Sequence, residues 1–143
     1  MPIIKVQKIH AAAKLPRYAH TGPYGDLAAD LYSVSDCTLK PGQTVAVPTG
    51  LALEFPSTHG ALVEDRSGLA LRGLTTLAGV IDPGYRGEIK VVLTNLTASA
   101  QTLNANDRIA QLRIVQRIEA TFEEVDAVDE TPRNAGGFGS TGA

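Results

Sequence analysis

The feature that most constrains the fold of this chain is a series of short apolar runs, each closed by a turn signal. Runs such as "IIKVQKI", "QTVAVPTG", "LALEF" and "GEIKVVLTNL" are typical of strands, and "SGLALRG" at 67–73 is the one helix candidate. The turn segments lie at 40–43, 56–60, 82–87 and 104–107, where Pro, Gly, Asn or Asp supply special backbone angles. This spacing predicts an all-β sandwich or barrel.

Alternation of apolar and polar residues is clearest in "RIAQLRIVQ". Ala110, Leu112 and Ile114 fall on one face of a predicted strand, while Gln111 and Arg113 fall on the other. The sequence therefore predicts a polar face beside the apolar core.

The length of 143 residues favours a single domain. We predict a β-barrel domain over 1–130 and a flexible arm over 131–143. The acidic stretch "EEVDAVDE" and the glycine-rich end that follows it have too few apolar residues to order themselves alone.

Composition argues against several kinds of partner and site. A net charge of −2 does not suit a nucleic-acid-binding surface, and the single cysteine, Cys37, excludes an internal disulfide and indicates a reducing compartment. His10, His20 and His59 are too far apart in sequence to suggest a metal site. The start "MPIIKVQKIH" has no long apolar run, so we expect a cytoplasmic protein without signal peptide or membrane span.

The segment "EDRSGLA" is the first that suggests binding chemistry. Arg66, Ser67 and Gly68 offer a guanidinium, a hydroxyl and an accessible backbone N–H at the start of a predicted helix, which suits an oxyanion. A capped helix with a solvated arginine is the alternative interpretation.

The hairpin "AGVIDPGYRGEIKV" can present a carboxylate and a flat ring side by side, from Asp82 and Tyr85, with Arg86, Glu88 and Lys90 close by. A turn Asp that only bonds its own backbone is the simpler alternative.

Two further segments carry polar residues in unusual places. In "NDRIAQL", Asp107 and Arg108 precede a strand that carries Gln111; a charged turn would explain them equally well. The end "RNAGGFGSTGA" sets Arg133 and Phe138 among glycines and hydroxyls, which suits wrapping around a ligand, although a plain flexible terminus has the same composition.

Taken together and in this order, these segments resemble the five motifs of the trimeric dUTPase family over essentially the whole chain. The matching segments are "AADLYS", "DRSGLA", "GVIDPGYRGEIKV", "NDRIAQL" and "RNAGGFGSTG". Ala29 and Asn106 replace glycines of the family pattern. The resemblance implies a jelly-roll-like β-fold and hydrolysis of dUTP to dUMP and pyrophosphate, which limits uracil in DNA and supplies dUMP for thymidylate synthesis.

The resemblance also implies roles for individual residues. Asp82 would be the general base for water attack on the α-phosphorus, and Tyr85 would stack on the deoxyribose and exclude a 2′-hydroxyl. The phosphates would be held by Arg66, Ser67 and Gly68.

Uracil would be read mainly by backbone groups of Gly79, Val80 and Ile81, with Lys90 on the far arm of the hairpin. Many bacterial members have a longer segment here with a base-binding Asn. This chain has "LRGLTTLAG" instead, in which Thr76 is a possible substitute.

The arm would close over bound nucleotide. The residues that the resemblance assigns to this lid are Arg133, Phe138 on the uracil, and Gly139, Ser140 and Thr141 near the γ-phosphate. Mg²⁺ would be chelated by the triphosphate, with Asp30 and Gln111 contacting it through water. Each of three sites in a homotrimer would take motifs from three chains.

Two alternatives share parts of this pattern. A dCTP deaminase-like enzyme has the same fold, but needs a glutamate on the strand where this chain has Val92, and lacks the glycine-rich end. A non-catalytic nucleotide sensor would keep binding without turnover, against which the intact Asp82 and Arg133 argue.

Overall fold

The computed structural model describes residues 1–142, which form ten strands and one short helix. Their bounds, in chain order, are β1 Lys5–Lys8, β2 Ala29–Tyr32, β3 Cys37–Leu39, β4 Thr44–Glu54, β5 His59–Glu64, α1 Ser67–Leu71, β6 Leu74–Thr76, β7 Val80–Ile81, β8 Glu88–Asn95, β9 Gln101–Leu103 and β10 Arg108–Gln116. The prediction of an all-β fold with one short helix is confirmed.

The strands form two four-stranded sheets and one two-stranded sheet. The first sheet has the order β1-β4-β8-β6, the second has the order β2-β10-β5-β7, and β3 pairs with β9. Every strand pair is antiparallel. Because neighbours in each sheet are distant in sequence, the topology is jelly-roll-like rather than a simple meander.

One hydrophobic core joins the two large sheets. Leu31 and Leu112 of the second sheet pack in the same cluster as Val47, Ile89 and Leu93 of the first, and all five are at most 2% exposed. The alternation predicted for β10 is present, since Ala110 and Leu112 are buried while Gln111 is half-buried. The inner faces of both sheets are buried in the core, so the sheet edges and the loops remain accessible to a ligand.

The runs "QTVAVPTG" and "LALEF" lie in the single strand β4 rather than in two strands. The pairing of β4 with β8 shifts register between Pro48 and Ala52, and Gly50 has a φ of 72° there. The strand therefore continues through Gly50 as a β-bulge, although the glycine in the sequence suggests that the strand ends there.

Four short strands, β3, β6, β7 and β9, are not apparent from the sequence. Each has only two or three residues, so their apolar alternation is too short to recognise. β6 and β7 pair with the longer strands β8 and β5, while β3 and β9 pair with each other.

No helix or strand follows β10 within the described residues. The predicted boundary between a domain over 1–130 and an arm over 131–143 stays a prediction, and its last residue, Ala143, lies outside the described part. Within residues 1–142, no helix has the length and apolar character to cross a membrane.

Candidate active site

A pocket of about 330 Å³ lies on the hairpin that joins β7 to β8. Five predicted site residues line it, together with one that the prediction did not include. They are Val80, Ile81, Asp82, Tyr85 and Lys90, and the additional residue is Glu88. Thr76, considered as a substitute for a base-binding Asn, is not in this lining.

The inner wall of the pocket is an edge strand. β7 pairs with β5 on one side only and is the last strand of its sheet. The backbone groups on its free side are therefore available to the hydrogen-bonding edge of a ligand, as in strand addition to a sheet edge.

Gly79 immediately precedes this edge strand and determines the path of the backbone into it. Its φ is 131°, and a Cβ there would overlap the backbone carbonyl of Val63. The Gly79 carbonyl accepts a hydrogen bond from the Val63 N–H at 2.7 Å. The residue must therefore be glycine, and its own carbonyl is used within the protein.

Asp82 stands at the first position of the turn between the two strands. Its backbone carbonyl accepts a hydrogen bond from the Tyr85 N–H at 3.1 Å, which closes the turn over Pro83 and Gly84. The carboxylate is exposed, and among the hydrogen bonds of residues 1–142 none involves it. The alternative in which Asp82 merely bonds its own backbone thus has no support, and the carboxylate is free to bind a water.

The Tyr85 ring is held in place by its own hairpin. Its hydroxyl donates to the Glu88 carbonyl at 2.8 Å, and the ring lies where a Cβ on Gly87 would be. Glu88 in turn accepts the Gly50 N–H at 3.0 Å, which links the hairpin to the bulge of β4. Glu88 was noted beside Asp82 and Tyr85 in the sequence, but its contact with Gly50 could not be predicted because that glycine lies in the distant strand β4.

A second polar cluster surrounds Asp30 in β2. The Asp30 carboxylate lies 3.5 Å from Arg66 Nε and 3.7 Å from Arg108 Nη1, and Arg66 also donates to the Arg108 carbonyl at 3.2 Å. We call Asp30, Arg66 and Arg108, with the adjoining Ser67 and Gly68, the anion cradle. The two guanidinium groups carry more positive charge than the Asp30 carboxylate can neutralise, so the cradle can bind an additional anion.

Ser67 is the first residue of α1, but the helix has no side-chain cap. Ser67 and Gly68 are exposed, and the space beside Gly68 is open. The capped-helix alternative is therefore not what this structure adopts, and the hydroxyl and backbone N–H groups face solvent beside Arg66.

Gln111 lies directly opposite Asp30 in the pairing of β10 with β2. Its Nε2 donates to the Asp65 carbonyl at 2.9 Å, which fixes the amide group at the end of β5. Within residues 1–142 no group of three or more His, Cys, Asp or Glu side chains could hold a metal ion. One carboxylate and one amide fit contact with the water shell of Mg²⁺ better than direct coordination.

Asp65 is a half-buried carboxylate that sequence reasoning did not select. Burial raises its pKa, but hydrogen bonds from Thr75 and Thr76 outweigh this effect and hold the pKa of Asp65 below its usual range. The group is therefore ionised at neutral pH.

The turn before β10 accounts for Asp107. Its carboxylate accepts the Asn104 N–H at 2.8 Å, as the charged-turn alternative expects. Asn106 has a φ of 73°, a left-handed conformation that Asn tolerates in place of glycine. Ala29, the other glycine replacement, is buried in β2.

No residue of the glycine-rich arm from 131 to 142 lies in the pocket lining. Arg133 Nε donates to the Gly136 carbonyl at 2.7 Å, and the Gly137 N–H donates to Ser140 Oγ at 2.7 Å, so these bonds join arm residues to one another. Phe138 is fully exposed. The structure thus places the predicted residues in three groups, the pocket, the anion cradle and the arm.

This combination of a jelly-roll-like β-fold, a carboxylate pocket and a separate anion cradle defines a β-fold protein built to act on a small anionic ligand. A family model described as dUTPase matches residues 17–142. The chain therefore belongs to the dUTPase family.

Curated relatives and solved structures agree with this assignment. The deoxyuridine 5'-triphosphate nucleotidohydrolase of Solibacter usitatus (strain Ellin6076) is 49% identical over 142 residues, covering 97% of this chain and 95% of that protein. The protein of the same description from Thermobifida fusca (strain YX) is 46% identical, covering 97% and 78%. These names do not favour the deaminase alternative.

The fold is shared with phage dUTPases. The Staphylococcus bacteriophage 80alpha dUTPase, solved with dUPNHPP, has a TM-score of 0.85 at 22% identity and covers 99% of each chain. A mutant dUTPase from phage phi11 of S. aureus, whose structure describes coordination of a structural Mg(II) ion, has a TM-score of 0.80 at 21% identity and covers 90% of this chain and 99% of that one.

Proposed function

We propose that this chain hydrolyses dUTP to dUMP and pyrophosphate, with Asp82 as the general base. The observation that carries this proposal is the exposed Asp82 carboxylate, without a hydrogen bond from residues 1–142, beside the Tyr85 ring at an edge-strand pocket. Such a carboxylate accepts a proton from the water that attacks the α-phosphorus, and the bond to the bridging oxygen of pyrophosphate breaks.

The free side of β7 would distinguish uracil from other bases. Val80 and Ile81 of this strand line the pocket, Gly79 leads into it, and Lys90 lies on the facing arm of the hairpin. Backbone donors and acceptors arranged for uracil are left unpaired when cytosine enters, which penalises the wrong base.

Phosphate binding falls to Arg66, Ser67 and Gly68 of the anion cradle. Asp30 and Gln111, opposite each other across two strands, are the residues that would contact the water shell of Mg²⁺. When bound, Mg²⁺ supplies neutralisation of the triphosphate charge.

A homotrimer with shared sites fits the separation of the three groups. The pocket lining contains no residue of the anion cradle, so a single chain offers the two halves apart. Ile118, Phe122 and Val128, after the last strand, are each at least 85% exposed, and exposed apolar residues in one segment favour burial against a partner. Cyclic symmetry then supplies three equal sites.

The arm is the third part of each proposed site. Phe138 would stack on the base, while Arg133, Gly139, Ser140 and Thr141 would approach the γ-phosphate. The glycines permit close approach of backbone N–H groups, and ligand binding would offset the entropy lost when the arm becomes ordered.

We also propose a cytoplasmic location. The free thiol of Cys37 is consistent with a reducing compartment.

A substrate panel tests the proposal directly. Purified protein with Mg²⁺ is incubated separately with dUTP, dCTP, dTTP and UTP, and pyrophosphate and ammonia are measured together. We expect pyrophosphate release from dUTP with a kcat/KM far above the values for dCTP, dTTP and UTP. Ammonia from dCTP would indicate a deaminase instead, and no reaction with any of the four would indicate a nucleotide sensor.

Sugar discrimination is expected to depend on Tyr85. In Tyr85→Ala the space for a 2′-hydroxyl opens, so the preference for dUTP over UTP, measured as a ratio of kcat/KM values, should fall by about tenfold or more. Affinity for dUTP should fall less than this ratio. An unchanged preference would contradict the stacking role.

Two neighbouring glycines provide a matched control for this result. Gly87→Ala should displace the Tyr85 ring and lower the same preference, because the added Cβ overlaps that ring. Gly84→Ala adds a Cβ in open space and should leave the preference unchanged.

Shared sites predict recovery of activity in mixed trimers. Asp82→Asn and Arg66→Ala chains should each be inactive alone. In a mixed trimer, a shared site has both groups when its Asp82 comes from an Arg66→Ala chain and its Arg66 comes from an Asp82→Asn chain. Random mixing should restore about a quarter of wild-type activity after joint refolding. No recovery in trimers of verified mixed composition would place both groups in one chain's site.

A further inference from the structure

We propose that Asp65 is a positioning residue that holds the crossover into the base-binding edge strand β7, and thereby sets discrimination between uracil and cytosine. The inference rests on the proposed function and concerns the same site.

The Asp65 side chain joins two strands that belong to different sheets. It follows β5, is half-buried, and accepts hydrogen bonds from the Thr75 hydroxyl and from the Thr76 N–H, each at 2.6 Å. Its backbone carbonyl accepts the Gln111 amide at 2.9 Å. Asp65 therefore connects the end of β5 with β6 of the other large sheet and with β10.

The segment next to this contact leads directly to the pocket. Between the end of β6 at Thr76 and the start of β7 at Val80 lie three residues, and they cross from one sheet to the other. Ala78 in this crossover has a φ of 65°, which is uncommon for a residue with a Cβ. Such a conformation persists only where its surroundings hold it.

The crossover is held at both ends. At its exit the Val63 N–H donates to the Gly79 carbonyl at 2.7 Å, and at its entry the Asp65 carboxylate binds Thr75 and Thr76. The pairing of β6 with β8 and the hydrogen bond from the Leu77 N–H to the Val92 carbonyl at 2.9 Å also hold the entry, but on the side away from β5. Loss of the Asp65 contacts removes the link to the end of β5, so the strained path relaxes and the backbone groups of β7 shift relative to a bound base.

Asp65 also adjoins the anion cradle in the sequence. Asp65 immediately precedes Arg66, whose guanidinium lies on Asp30 in the anion cradle. The same residue therefore adjoins the cradle through its backbone and holds the start of the crossover to β7 through its carboxylate. In the proposed trimer with shared sites, a shift at Asp65 displaces a base-binding part of one site and a phosphate-binding part of another.

The test compares Asp65→Ala, Asp65→Asn and Thr75→Val by their kcat and KM for dUTP and dCTP. Asp65→Ala removes both carboxylate contacts, so we expect KM for dUTP to rise and the dUTP/dCTP ratio of kcat/KM to fall, each by about tenfold or more. Asp65→Asn keeps an oxygen for the Thr76 N–H and should stay within about threefold of wild type. Thr75→Val, which removes one contact, should lie between them.

A carboxylate in another loop provides the control. Asp36 also accepts a backbone N–H from a distant loop, that of Ala105 at 2.8 Å, and it lies outside the pocket lining and the anion cradle. Asp36→Ala should leave KM and the dUTP/dCTP ratio unchanged.

A merely structural role makes a different prediction. If Asp65→Ala lowered kcat for both nucleotides equally, with KM and the ratio unchanged, only the folded fraction would have changed and the inference would be overturned. If Asp65→Ala does not fold, an unchanged ratio in Thr75→Val overturns it. Lack of dUTP hydrolysis by the wild-type protein contradicts the proposed function instead, so the two failures are distinguishable.

Discussion

Replacing Asp82 by Asn is expected to lower kcat for dUTP by about 10²–10⁴-fold, the usual contribution of a general base. The amide has nearly the shape of the carboxylate but cannot accept the proton of the attacking water. Since the Asp82 carboxylate makes no hydrogen bond within residues 1–142, the substitution should leave the fold and the turn over Pro83 and Gly84 intact.

Two measurements separate chemistry from binding in this variant. Turnover is followed as pyrophosphate release, and affinity is measured by calorimetry with a non-hydrolysable dUTP analogue, which should bind within about tenfold of wild type. Asp126→Asn, in the exposed acidic stretch, is the control and should behave as wild type. Near-wild-type turnover by Asp82→Asn would refute its assignment as the base.

Ending the chain after Asp129 is expected to abolish measurable turnover, by at least about 10²-fold, without loss of stability. The hydrophobic core includes no residue beyond Ile114, and the arm's hydrogen bonds at Arg133 and Ser140 join arm residues to one another. Folding should therefore not depend on the arm, whereas exclusion of water from the site should depend on it if the arm is the proposed lid.

Thermal unfolding and steady-state kinetics test this expectation. The melting temperatures of the shortened and full chains should agree, while only the full chain hydrolyses dUTP. Phe138→Ala keeps the length of the arm and should mainly raise KM, which separates stacking from closure. Full activity in the shortened chain would show that the arm is not a lid.

The long strands could be predicted from sequence because their pattern is local. β8 alternates buried residues with half-buried or exposed ones along its length, β10 does so from Ala110 to Arg113, and the four turn segments at 40–43, 56–60, 82–87 and 104–107 carry Pro, Gly, Asn or Asp. Gly50 shows the limit of such reasoning, since the same glycine suits a turn or a bulge. Pairing of β4 with β8 on both sides of Gly50 decides for the bulge.

The location of the candidate pocket was predictable because unusual residues of the sequence lie in its lining. Asp82 and Tyr85 stand out in a hairpin that needs neither for its turn, and the structure places both at one pocket. Asp65 and Glu88 do not stand out, because their partners are Thr75, Thr76 and Gly50, which are ordinary residues in the sequence. Such roles become visible only when the contacts are known.

The sequence by itself determined the all-β class, the turns and the order of the five motifs, because each depends on the chemistry of neighbouring residues. Only the tertiary structure decided that β7 is an edge strand with free backbone groups, and that the pocket and the anion cradle are separate in one chain. Pairing between strands distant in sequence sets which edges remain open, and no local pattern encodes that choice.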